Sequence, residues 1–71
     1  MREVFNFRNS SNVVSCEYDD EEQTLDVTFA NGDTYRYDSV PQSTYRSFTL
    51  AGSPGSFVHQ RLKREYNGYP I

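Results

Sequence analysis

Cysteine and histidine each occur once in this chain, at Cys16 and His59. A thiol beside an imidazole is the smallest set that could run nucleophilic catalysis. Cys16 lies in "VVSCEYD", where Val14, Cys16 and Tyr18 alternate with Ser15 and Glu17. That period of two predicts a strand with Cys16 as a small buried hydrophobe on its inner face, beside Val14 and Tyr18. His59 stands in a basic stretch and reads as a surface side chain. One cysteine and one histidine fall short of a zinc ligand set. The acidic run from Asp19 to Gln23 lacks the spacing and the glycine of a calcium loop, and reads as a solvated turn. No enzyme, metal or cofactor is expected.

A binding surface is the better prospect, and residues 53–66 carry it. Ser53, Gly55 and Ser56 precede a helix whose free backbone N–H groups and positive dipole end favour an anion. Arg61 and Arg64 are three apart and share one side, while His59 and Lys63 add to the same basic stretch. With Tyr66 at its end, this segment is predicted to contact a protein or an anionic ligand. The alternative is a nucleic-acid or nucleotide binder that uses the same bases, with Tyr66 or Tyr69 for stacking.

Charge bears on that choice. The net charge is −3, and residues 17–38 carry eight acids against Arg36 alone. Residues 57–71 are net basic. An acidic domain is a poor general binder of polyanions, because phosphate attraction supplies most non-specific affinity. A basic helix beside an acidic hairpin can still orient an anionic partner. The single cysteine excludes an internal disulfide and suits a reducing compartment. No stretch is apolar enough for a signal peptide or a membrane span. The expected setting is the cytoplasm, away from membranes, as a monomer or weak dimer.

The elements that must position these residues follow from periodicity. Seventy-one residues make one domain, in which eleven tyrosines and phenylalanines let a small core form from few positions. Residues 1–9 read as an arm, loose or added to the sheet as a short strand. Leu25, Val27 and Phe29 alternate with polar residues, as do Tyr35 and Tyr37 after "NG". A two-residue turn at Asn31-Gly32 would put the tyrosines on the face opposite Leu25 and Val27. A three-residue loop, Ala30 to Gly32 with Gly32 left-handed, pairs Val27 with Tyr35 and Leu25 with Tyr37, and unites the apolar face. A four-residue loop at 20–23 likewise pairs Tyr18 with Leu25 and Cys16 with Val27. Pro41 suits the first turn of a helix that carries Tyr45 and Phe48 and stops at Gly52. Ser53 caps a second helix, with Val58, Leu62 and Tyr66 on one stripe. The sum is an α+β domain, a three-stranded antiparallel meander followed by two helices packed on one sheet face.

In this layout the chain resembles the KTSC domain, a short bacterial and phage module named for its occurrence at the C-terminus of some lysyl-tRNA synthetases. The resemblance rests on "SSNVVSCEYD", on "TLDVTFANGDTYRYDSVP" with its Tyr-x-Tyr, and on "AGSPGSFVHQRLKREY" with its Ser-x-Gly-x-aromatic opening. It runs from about Ser10 to Tyr69 and implies one domain over residues 10–71, stand-alone or appended. It also implies a nucleic-acid or host-machinery context, and no activity assigned to named residues.

Overall fold

The alternation in residues 24–37 becomes a hairpin in the computed structural model, which describes residues 1–71. Strand β3 (Thr24–Phe29) pairs with β4 (Thr34–Tyr37) so that Val27 faces Tyr35 and Leu25 faces Tyr37. The connection is the three-residue one. Phe29 N–H donates to the Asp33 carbonyl at 2.8 Å, Gly32 N–H donates to Phe29 at 2.9 Å, and Gly32 has φ +95°. Strand β2 (Val13–Asp19) joins β3 in the register expected from the acidic turn, with Tyr18 opposite Leu25 and Cys16 opposite Val27.

Two further strands extend this meander, so the sheet has five strands in sequence order rather than three. β1 (Arg2–Asn6) pairs with β2, and β5 (Gly68–Pro70) pairs with β4. Both are edge strands. β1 buries only one side, through Phe5, and so carries little alternation; β5 has three residues, too few for a period to show. The N-terminal segment is therefore an added strand over most of its length.

The bulge in β2 corrects a second expectation. The register shifts between Val13 and Ser15, so Val13 turns into the core and Val14 turns out. Val13 is fully buried while Val14 is 47% exposed. An extra residue in one strand inverts the alternation on its N-terminal side, which simple period-two counting misses.

Helix α1 (Gln42–Thr49) starts one residue later than expected, with Pro41 as its cap residue, its carbonyl accepting from Thr44 and Tyr45. It closes at Leu50, so Gly52 belongs to the connection and not to the helix stop. The second helix is continuous but not uniform. A turn of α-helix, α2 (Pro54–Phe57), leads into a π-helical turn (Val58–Leu62) and then α3 (Lys63–Glu65). The Lys63 N–H donates to Val58, five residues back, which is the mark of the π turn.

Both helices cover the same sheet face. Tyr45 and Phe48 from α1, with Val58 and Leu62 from the second helix, close over Val13, Cys16, Tyr18, Leu25, Val27 and Tyr37. Phe48 lies between Phe7 and Phe57, with ring centroids at 4.9 and 5.3 Å. Tyr18 and Tyr45 stack at 4.5 Å. Tyrosine tips tie the layers together: Tyr18 donates to the Val40 carbonyl at 2.6 Å and Tyr45 to Glu3 at 2.6 Å. The opposite sheet face is a charge ladder. Arg36 grips Asp26 with two bonds of 2.7 and 2.9 Å, and Arg2 reaches Glu17 at 2.6 Å.

Two glycines test this architecture in different ways. A side chain at Gly32 would meet nothing within 4 Å, so its cost is backbone strain alone. Gly32→Val should lower stability by about 1 kcal/mol or more in chemical denaturation. At Gly68 the backbone is unremarkable, but a Cβ would stand 2.8 Å from Cζ of the Tyr37 ring. Gly68→Ala should therefore lower the melting temperature by detaching β5 from β4, seen as faster amide exchange at Arg36 with the rest of the sheet unchanged.

Candidate functional site

The residues expected to form one surface divide among three places around the second helix. Ser53 caps it: its hydroxyl accepts from Ser56 N–H at 3.4 Å and donates to the Ser56 hydroxyl at 3.0 Å. Ser53, Gly55, Ser56 and His59 then line a polar cleft of about 440 Å³. The opposite wall is the loop before β2, Asn9 to Asn12, and Gly52, Pro54 and Gln60 complete the lining.

That opposite wall is built by local hydrogen bonding. The Ser10 hydroxyl accepts from the N–H groups of Asn12 and Val13 at 3.2 and 3.0 Å, which folds the loop back on itself. Asn9 donates from its amide to the Gly52 carbonyl at 3.4 Å across the cleft. Gly55 stands against Asn12, where an added Cβ would sit at van der Waals contact, 3.4 Å from the side-chain amide. Ser11, Asn12, His59 and Gln60 are all exposed around the opening.

The basic residues lie further along. His59, Gln60, Arg61, Lys63 and Arg64 line a shallow groove that adjoins the polar cleft through His59 and Gln60. Arg61 is already engaged: it pairs with Glu65 at 2.9 Å and lies over the Phe57 ring at 5.0 Å. Arg64 is exposed. Lys63 also lines a separate cleft on the sheet side, with Tyr35, Tyr37, Tyr66, Asn67 and Gly68. Tyr66 is half-buried and bonded to Thr44 at 3.2 Å, and Tyr69 reaches Asp38 at 3.2 Å. The rings named for stacking are thus partly committed to the fold. Ser53 and Gly55 do not share a cleft with Arg61 and Arg64; only His59 and Gln60 bridge the two.

A profile of the KTSC domain matches residues 9–66. The chain belongs to the KTSC domain family. A crystal structure of a KTSC domain protein from Yersinia pestis superposes with a TM-score of 0.87 at 28% identity, covering 100% of this chain and 99% of that one. An uncharacterized protein of Stutzerimonas stutzeri is 37% identical over 60 residues, 84% of each chain. A protein of Tsukamurella paurometabola is 35% identical over 62 residues, 87% of this chain and 92% of that one. The KTSC match begins at Asn9, so it takes in both walls of the polar cleft and leaves β1 and β5 outside.

Sequence reasoning found the helix side of this cleft and missed the loop side. Residues 10–12 carry no charge and no periodicity, and tertiary contacts give them a place, with the Asn12 carbonyl accepting from Ala30 N–H at 2.9 Å and its side chain lying against Gly55. The one available signal was "SSN", a cluster of short polar side chains just before a strand.

Cys16 has no part in the site. It is buried in the KTSC core, and burial, then the charge of Glu3, pushes its thiol up to about 12. At pH 8 roughly one thiol in ten thousand is ionised at such a value. A disulfide reagent at pH 8 should therefore leave the folded chain unlabelled and react stoichiometrically once denaturant unfolds it.

Proposed function

We propose that this KTSC domain is a non-catalytic binding module that holds a protein partner through the polar cleft and the adjoining basic side of the second helix. The observation that carries the reading is the cleft itself. A concave surface of about 440 Å³, walled on both sides by hydroxyl, amide and imidazole groups, suits recognition by hydrogen bonds to a polar chain. Its rim continues into the exposed guanidinium of Arg64, which can meet an acidic residue of the partner.

Catalysis finds little support in the same residues. His59 and Cys16 lie apart, one exposed and one in the core. The nucleic-acid alternative would rest on Arg61, Lys63 and Arg64, of which Arg61 has its charge partly offset by the exposed Glu65 beside it. The net charge of −3 further disfavours a polyanion.

The two readings part in a binding assay with salt as the variable. Retention of a bacterial protein by the immobilised domain should fall only modestly between low and moderate salt, as the Arg64 contact is screened, and Gln60→Ala with Arg64→Glu should abolish it. Both positions are exposed, so the double variant should keep its stability to within about 0.5 kcal/mol. Steep weakening with salt, together with binding of a short oligonucleotide, would favour the nucleic-acid reading instead.

A further inference from the structure

The six tyrosines differ in what their hydroxyls do. Those of Tyr18, Tyr45, Tyr66 and Tyr69 each make a hydrogen bond inside the chain. Tyr35 and Tyr37 make none. For Tyr35, which is only half-buried, solvent explains this. Tyr37 is different, since the residue is 1% exposed and its ring is the largest fully buried side chain of the core. A buried phenol without a partner is uncommon, because its desolvation goes uncompensated. No polar side-chain atom sealed from solvent lacks a partner in this structure, so the Tyr37 hydroxyl keeps a narrow opening, and the residue lines two adjoining clefts.

One of the two lies between β4, β5 and the end of the second helix. Tyr35, Tyr37, Lys63, Tyr66, Asn67 and Gly68 line about 320 Å³. The lining includes a cation, an amide and phenol groups and no carboxylate, while the adjoining cleft shares Tyr35, Tyr37 and Lys63 and brings in Asp33. Gly68 is pressed against the Tyr37 ring, so the backbone of β5 forms a close wall where any side chain would intrude. Burial, and then the neighbouring Tyr35, raises the Tyr37 phenol above its ordinary range, which keeps it a proton donor at neutral pH.

We infer that this cleft is a second binding site, distinct from the polar cleft, which takes the oxyanion of a small carboxylate- or phosphate-bearing ligand, with Tyr37 donating the hydrogen bond and Lys63 supplying the charge. An ammonium on a flexible stem approaches an anion as a point charge, and a buried neutral donor adds direction that water-exposed groups lack. The Tyr35 and Tyr66 rings give the body of the ligand an apolar wall.

The test is a titration of the isotope-labelled chain with inorganic phosphate and, separately, with acetate, at ionic strength held constant with chloride. Saturable shifts at the amides of residues 35–37, 63 and 67–68 are expected for one of the two anions, and which one saturates identifies phosphate or carboxylate as the ligand group. Tyr37→Phe and Lys63→Gln should each weaken that binding at least tenfold. Tyr37→Phe should melt at the same or a higher temperature, because the lost hydroxyl has no partner in the chain. Shifts that fail to saturate with either anion, or that persist unchanged in both variants, would overturn the site. So would a clear loss of stability in Tyr37→Phe, which would show that its hydroxyl serves the fold.

Discussion

The amide of Phe29 bonds to Asp33 across a loop whose last residue, Gly32, is left-handed. On this small exchange rests the identity of both faces of the sheet. With three residues in the loop, Leu25, Val27, Tyr35 and Tyr37 share one face, and Asp26 and Arg36 share the other. A slip of one residue would send the tyrosines to solvent and bury an arginine. The two-bond contact of Arg36 with Asp26 gives the outer face its own reason to prefer this register, since either charge alone would be left poorly solvated against the sheet. Asp26 is among the most buried polar residues of the chain, and its partner stands directly opposite.

A sheet with one apolar face needs a cover, and two short helices have to supply it. Aromatic side chains make this feasible in so small a chain. Each covers a wide area, and those with hydroxyls also latch one layer to another. Tyr18 reaches from β2 to the Val40 carbonyl just ahead of α1, and Tyr45 reaches from α1 back to Glu3 on β1. Val40 is held a second time, by its own N–H to the Gln23 carbonyl, and the chain reverses beside it through the left-handed Ser39. The start of α1 is thereby tied to the β2–β3 turn. The position of the second helix depends in turn on Phe48 of α1 against Phe57, and on Tyr66 bonded to Thr44.

The clefts follow from these attachments. The polar cleft exists because the loop before β2 and the entry to the second helix, far apart in sequence, are brought side by side, with glycine where they come closest. The tyrosine cleft exists because β5 returns along β4 just after the helix ends. Lys63 lines both it and the basic groove, so one helix contributes to two different surfaces. The family match spans all the residues of the polar cleft.

Local patterns were enough to specify a good deal. Strict alternation in β3 and β4, the glycine after Asn31, and Ser53-Pro54 at a helix start depend on nearest neighbours, so both hairpin registers, the two helices and most of the core could be read from the sequence. The inversion at Val14 could not, because a bulge shows itself only against the strand it pairs with. β1 was legible only as one of two alternatives and β5 not at all, because their pairing comes from edges left open by the meander and not from any period of their own. The candidate site divides along the same line. Residues 53–64 announce themselves by a cap and by charge. The place of Asn9–Asn12 beside the second helix and the unpartnered hydroxyl of Tyr37 are relations between distant segments, whereas Arg61 and Glu65 pair locally, one helical turn apart. Only the packing of helices on the sheet decides which polar groups find a partner inside the chain and which are left facing a cleft.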